Sequence, residues 1–251
     1  MKGKVAIVSG GAGGIGAAIC KGFAREGARV AVADVDLGDA LAVAKDIAGN
    51  GDNAMAAHVD VTDDASVKAL MDRAEETFGG IDILFNCAGG SIIEDTLVTD
   101  VDLAVWDRTI PLDLKGPFLC CRHGIPKLKA RGGGKIINIG SIFGEDGFPG
   151  SSGYCASKGA IKQLTRSLCL ELRPFNIQVN TLSPGCIETD LNKKYREESE
   201  DFTRALQERF GAGNPWLQPE EMAGTAVFLA SSDADSVTGA NVMVDRGYSA
   251  Y

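Results

Sequence analysis

Short apolar runs alternate with longer stretches of helical periodicity from one end of the chain to the other. Lys4–Ser9 is the first run, followed by a glycine cluster and a helical pattern from about Gly14 to Glu26. Arg29–Asp34, Ala54–Val59, Ile81–Asn86, Lys135–Gly140, Ile177–Leu182 and Asn241–Val244 read as further strands. Apolar runs of this length without strict alternation mark strands covered on both faces. Between Asp63 and Phe78, the residues Val67, Leu70, Met71, Ala74 and Phe78 recur at three- and four-residue spacings, which predicts an amphipathic helix. Helices are also expected over Leu37–Ala48, Asp102–Ala130, Gly153–Arg173 and Glu220–Ala230, the second of these interrupted by Pro111 and Pro117. Repeated strand–helix–strand units predict an α/β fold, a doubly wound parallel sheet with helices on both faces.

Residues 190–219 break this rhythm. They are dense in charge (Lys193, Lys194, Arg196, Glu197, Glu198, Glu200, Asp201) and end in Gly211, Gly213 and Pro215, so they read as a substrate lid or a solvated surface helix. No composition shift marks a second domain, and 251 residues fit one α/β domain. The 25 basic and 34 acidic side chains give a formal charge of −9, which argues against nucleic acid or an anionic membrane as partner. Seven cysteines without a C-x-x-C pair read as small buried hydrophobes in a reducing, cytoplasmic setting, and two histidines leave little for a metal site. The aromatic tail Tyr248–Tyr251 is either frayed or docked, since an apolar aromatic end invites packing.

The glycine cluster carries the first chemistry. Ser9-Gly10-Gly11-Ala12-Gly13-Gly14-Ile15-Gly16 joins the first strand to the first helix. Glycines there let backbone approach a pyrophosphate, and the helix N-terminus offers free N–H groups and a positive dipole end. Asp34 closes the second strand, 18 residues beyond Gly16. An acid at that place bonds adenosine ribose hydroxyls and repels a 2′-phosphate, which favours NAD over NADP. The pattern is Rossmann-like in context.

Its spacing, Gly10-x-x-x-Gly14-x-Gly16, resembles that of the short-chain dehydrogenase/reductase family, and the resemblance continues along nearly the whole chain. Asp60-Val61 is similar to the family's adenine-contacting pair. Asn86-Cys87-Ala88-Gly89 is similar to its N-N-A-G motif, with Cys87 in place of the second Asn. Tyr154-Cys155-Ala156-Ser157-Lys158 matches its Y-x-x-x-K, and Ser141 precedes Tyr154 by thirteen residues. Asn180, Pro184-Gly185, Ile187 and Thr189 resemble the segment beside the nicotinamide, and Val244-Asp245-Arg246-Gly247 resembles a terminal V-D-G-G. Asp113 stands where relatives usually carry an asparagine counted with the catalytic residues.

Tyr154 and Lys158, four apart, share one helix face. A free phenol, near pKa 10, is a weak base at neutral pH, and an adjacent ammonium favours its phenolate. The resemblance implies a homotetramer that uses NAD to oxidise a secondary alcohol or reduce a ketone. Tyr154 would serve as general acid/base, Lys158 on the nicotinamide ribose and Ser141 on the substrate oxygen. Asp113 would act through a backbone carbonyl freed by Pro117, which has no N–H to offer it. Ser91, Ile142, Phe143, Phe148 and Cys186 are the expected contacts of a small-molecule substrate. Two alternatives stand beside this reading: a 3-oxoacyl-thioester reductase of the same family, and an NAD-binding protein impaired in catalysis.

Overall fold

A computed structural model of the protein describes residues 1–49, 53–90, 95–198, 200–210 and 213–250. Seven parallel strands form the central sheet: β1 (Val5–Ser9), β2 (Arg29–Asp34), β3 (Ala54–His58), β4 (Ile83–Asn86), β5 (Gly134–Ile139), β6 (Ile177–Pro184) and β9 (Asn241–Val244). Their spatial order is β3-β2-β1-β4-β5-β6-β9, all neighbours parallel. The chain therefore runs outward in one direction from β1 and in the other from β4. Loops leaving these two strands diverge and open a crevice at the carboxyl edge.

Both faces are covered, as the unalternating apolar runs predict. On one side α3 (Asp64–Phe78), α5 (Gly116–Ala130) and α6 (Ser152–Leu172) pack Leu70, Met71, Leu128 and Leu172 against Ile7, Leu84 and Ile136. On the other, α1 (Gly14–Arg25), α2 (Leu37–Ala48) and α9 (Glu221–Ala230) pack Ile19, Phe23 and Met222 against Val8, Val30 and Phe85. Fully burying one such side chain contributes about 1.5–3 kcal/mol. Among the described residues no helix is long and apolar enough to cross a membrane.

Two regions differ from the sequence expectation. The stretch expected as one long helix is instead α4 (Leu103–Ile110), a widened π-turn over Pro111–Lys115, and α5. Gly116 N–H reaches back to the carbonyl of Pro111, five residues away. Pro117 has no N–H with which to continue an ordinary helix, and the wider turn accommodates that loss. The charged segment 190–219 is not merely a surface helix. It contains α7 (Lys193–Glu198) and α8 (Glu200–Phe210), then returns as β8 (Trp216–Leu217) to pair with β7 (Cys186–Ile187). Phe202 and Leu206 of α8 are buried with Ile142, Cys186 and Tyr248. The tail is thus docked through Tyr248 on its own chain, while Tyr251 lies outside the described residues.

One buried charge ties the base of the sheet together. Asp82 accepts the Val5 N–H at 2.9 Å and faces Arg131 at 3.2 Å and Lys4 at 3.3 Å. Burial works to raise its pKa, but the Val5 N–H and the Arg131 and Lys4 charges outweigh it and hold the carboxyl below its ordinary 3.8. A depressed carboxylate stabilises the fold above its unfolded pKa and loses that contribution as pH falls through the folded one. Asp82→Asn should therefore lower the urea midpoint at pH 7 and flatten its decline below about pH 4. An unchanged acid limb in the variant would contradict this role.

Candidate active site

A cavity of about 870 Å³ follows the carboxyl edge of the sheet from Asp34 past the glycine turn to Trp216. Its first end is built by backbone. Gly10 adopts φ +66°, and a Cβ there would stand 2.7 Å from the Ala88 backbone. A Cβ on Gly16 would collide with the Gly10 carbonyl, so glycine at both positions lets β1, β4 and α1 converge. The N-terminus of α1 has no side-chain cap and no acidic residue in its first turn. Its free N–H groups and dipole are thus available to an anion. Asp34 accepts the Ala12 N–H at 3.0 Å, which fixes its carboxylate beside the turn. Asp60 and Val61 line the same end, and the Asp60 carboxyl is held low by bonds from the Thr62 hydroxyl and N–H. The cradle and its acid fit a pyrophosphate flanked by an adenosine ribose, the polar part of NAD.

The other end gathers the proton-handling groups. Ser141 follows β5, and Tyr154 and Lys158 lie on the first turns of α6, which packs across the edge. Ser141 and Tyr154 line the same stretch of the cavity, where the Ser141 hydroxyl works to lower the pKa of the phenol, and the Ser141 oxygen accepts the Phe143 N–H at 3.1 Å. Lys158 Nζ stands 5.5 Å from the Tyr154 ring centre and 3.0 Å from Asp113 Oδ1. Both members of that ion pair are buried, Lys158 at 2 % and Asp113 at 0 % exposure. Asp113 Oδ1 also accepts the Gly90 N–H at 2.9 Å, and its Oδ2 has no partner among the described residues. Burial works to discharge Lys158, but the Asp113 carboxylate and then Tyr154 hold its pKa above the ordinary value. Burial pushes the Tyr154 phenol up, Lys158 pulls it down, and Asp113 pushes it up again. The net direction is upward, so the phenol is protonated at neutral pH.

Gly14, Ile15, Ala88, Gly89, Pro184, Gly185, Ile187 and Thr189 also line the cavity, as do Ile142, Phe143, Phe148 and Cys186. Burial holds the Cys186 thiol at about 12, so it is a neutral wall. Three expected residues are not on the cavity surface. The Asn86 side chain turns inward instead, donating to Asn138 Oδ1 at 2.8 Å, and Asn138 continues to Thr165 at 2.9 Å. Asn86 thus braces β4 against β5 beneath the site, and a polar residue in an otherwise apolar strand end is the signal it left in the sequence. Asp113 lies behind Lys158 and meets its ammonium through the carboxylate at 3.0 Å. Asn180 ties β6 to the Val237–Ala240 turn rather than facing the cavity. Ser91 lies outside the described residues. Sequence reasoning did not single out Phe202, Asn192 or Trp216, which the 190–219 segment brings to the cavity.

A family profile described as enoyl-(acyl carrier protein) reductase matches residues 10–249. An uncharacterized oxidoreductase of Bacillus subtilis (strain 168) is 40% identical over 100% of this chain and 93% of its own length. The cis-4-hydroxycyclohexanecarboxylate dehydrogenase of Sinomonas cyclohexanicum is 39% identical over 98% and 97%. A solved gluconate 5-dehydrogenase of Burkholderia cenocepacia J2315, in complex with NADP and tartrate, superposes with a TM-score of 0.93 at 34% identity, covering 100% of this chain and 97% of that one. Together with the seven-stranded parallel sheet, these likenesses define a Rossmann-fold oxidoreductase. The chain belongs to the short-chain dehydrogenase/reductase family.

The Asp113 charge gives a direct expectation. Asp113→Asn removes one of the influences that raise the Tyr154 pKa, so the phenol should ionise at lower pH than in wild type. Phenolate absorbance during an alkaline titration, with Tyr154→Phe subtracted, measures this. A Tyr154 transition that stays put or moves to higher pH would contradict the placement of the charge.

Proposed function

We propose that the protein is an NAD-dependent secondary-alcohol dehydrogenase and carbonyl reductase in which Tyr154 is the general acid/base. The observation that carries this reading is that Tyr154 lines the cavity that begins at Asp34, together with Ser141, and its ring centre stands 5.5 Å from the Lys158 ammonium that Asp113 pairs. NAD, when bound, takes up or returns the hydride. The chain does the rest. The glycine turn and the α1 N-terminus bind the pyrophosphate, and Asp34 takes the adenosine ribose. Ser141 donates a hydrogen bond to the substrate oxygen. In reduction, the Tyr154 phenol gives its proton to that oxygen as the carbon gains hydride. In oxidation, the phenolate takes the proton from the alcohol as hydride leaves the same carbon. Lys158, kept charged by Asp113, stabilises the phenolate and is positioned to bond the nicotinamide ribose.

Cofactor choice follows from charge. Asp34 and Asp39 line the ribose end, while the lining cations are Lys158 beside Tyr154 and Arg196 against Trp216. A 2′-phosphate would meet like charge at Asp34 with no lining cation beside it. The thioester-reductase alternative would favour a basic residue in the glycine turn, where this chain has Ala12 and Gly13. A cytoplasmic homotetramer belongs to the same reading, and seven free cysteines suit a reducing setting.

The enzyme should prefer NAD over NADP by at least about tenfold in kcat/KM, which needs only ~1.4 kcal/mol. Initial rates with both cofactors test this, and equal efficiency would overturn the role of Asp34. Tyr154→Phe should reduce turnover by at least about a thousandfold, the scale of general acid/base catalysis, while binding NADH nearly as wild type does. Ordinary turnover in that variant would remove Tyr154 from the mechanism.

A further inference from the structure

Beyond the Ser141–Tyr154 pair, the cavity is walled by an aromatic cup assembled from three separate segments. Phe143 and Phe148, from the loop after β5, stack with ring centres 4.9 Å apart and planes at 29°. Phe202 of α8 meets Phe148 edge-on at 5.4 Å and Phe143 at 6.5 Å. Trp216 of β8 stands 6.0 Å from Phe202. Ile142 and Cys186 are buried in the same cluster. We infer that this cup makes the enzyme selective for a secondary alcohol or ketone carried on an apolar ring, and poor with polyols and open-chain sugar acids. The inference rests on the hydride-transfer reading above and narrows it to a substrate class.

The polar groups around the cup support that choice. Asn192 donates its side-chain amide to the Ile187 carbonyl at 3.0 Å. Glu188 accepts from Gln218 at 2.8 Å and faces Arg196 at 3.6 Å. Arg196 also faces Glu197 at 3.5 Å and lies 5.9 Å from the Trp216 ring centre. Glu188, Arg196 and the Asn192 amide are thus engaged within the protein. Ser141 and Tyr154 serve the single oxygen that reacts. A polyol entering the cup would strip water from several hydroxyls and find aromatic faces and edges in their place, which lowers its affinity steeply. A ring of apolar carbons instead packs on the cavity-lining surface of Phe143, Phe148 and Phe202 with no polar group left unpaired.

The test uses the protein with NAD and four probes: cyclohexanol, hexan-2-ol, glycerol and gluconate. Cyclohexanol should exceed glycerol and gluconate at least about tenfold in kcat/KM, and should also exceed hexan-2-ol. Phe148 is partly exposed on its loop, so Phe148→Ala should fold; it should lower kcat/KM for cyclohexanol by about tenfold or more, mostly through KM, with NADH binding unchanged. Higher efficiency with glycerol or gluconate would overturn the ring assignment and leave the hydride-transfer reading intact. Hexan-2-ol matching cyclohexanol would overturn it as well.

Binding separates the two readings if turnover is absent. In a Trp106→Phe background, cyclohexanone added to the NADH complex should change the fluorescence of Trp216 saturably. That result supports the cup even if hydride transfer fails, and no change at any concentration overturns it.

Discussion

The buried ion pair between Asp113 and Lys158 is the constraint around which the catalytic face is arranged. Two charges at 3.0 Å with almost no exposure are costly to bury singly, and removing one partner from such a pair typically costs about 3–5 kcal/mol. The pair therefore fixes its neighbours. Asp113 sits on the π-turn before α5, Lys158 on α6, and the Gly90 N–H that shares Asp113 Oδ1 on the loop after β4. Three segments distant in sequence meet on one carboxylate. A Cβ on Gly89 would collide with that same oxygen, so this glycine is required by the carboxylate as much as by any ligand, whereas a Cβ on Gly90 would meet the Leu191 side chain.

The pair also divides the electrostatics of the cavity. Lys158 is both stabilised and partly neutralised by Asp113, so its pull on the Tyr154 phenol is opposed by a carboxylate a few ångströms behind it. An asparagine at position 113 would hold the amine by dipole alone and leave more of its charge directed at the phenol. Aspartate at this position thus favours a protonated Tyr154, and asparagine would favour the phenolate. The rest of the fold supplies position. Parallel strands in register bring the ends of β1, β2, β4, β5 and β6 to one edge, where the divergence between β1 and β4 leaves room for a long ligand.

Much of this was legible in the chain. Strands buried on both faces read directly as apolar runs, and the glycine turn, Asp34, and the Tyr154–Lys158 spacing are local patterns. Their cavity positions follow from elements the sequence already specifies. What could not be read depends on contacts across the fold. Asn86 belongs to a motif that suggests cofactor contact, yet its side chain serves Asn138, 52 residues on. The π-turn at Pro111–Lys115 reflects how Pro117 is accommodated against two neighbouring helices, which no periodicity reports. The aromatic cup joins Phe143, Phe148, Phe202 and Trp216 only because β8 pairs with β7 and brings the charged segment back to the sheet edge.

The central claim is that this site moves a hydride between a carbinol carbon and the nicotinamide while Tyr154 moves the proton. It is tested most directly by following deuterium from a carbinol-labelled secondary alcohol into the cofactor by mass spectrometry. One deuterium per reduced cofactor and a primary isotope effect are expected in wild type, both lost in Tyr154→Phe although NADH still binds. Reduced cofactor without deuterium, or undiminished transfer in Tyr154→Phe, would contradict it.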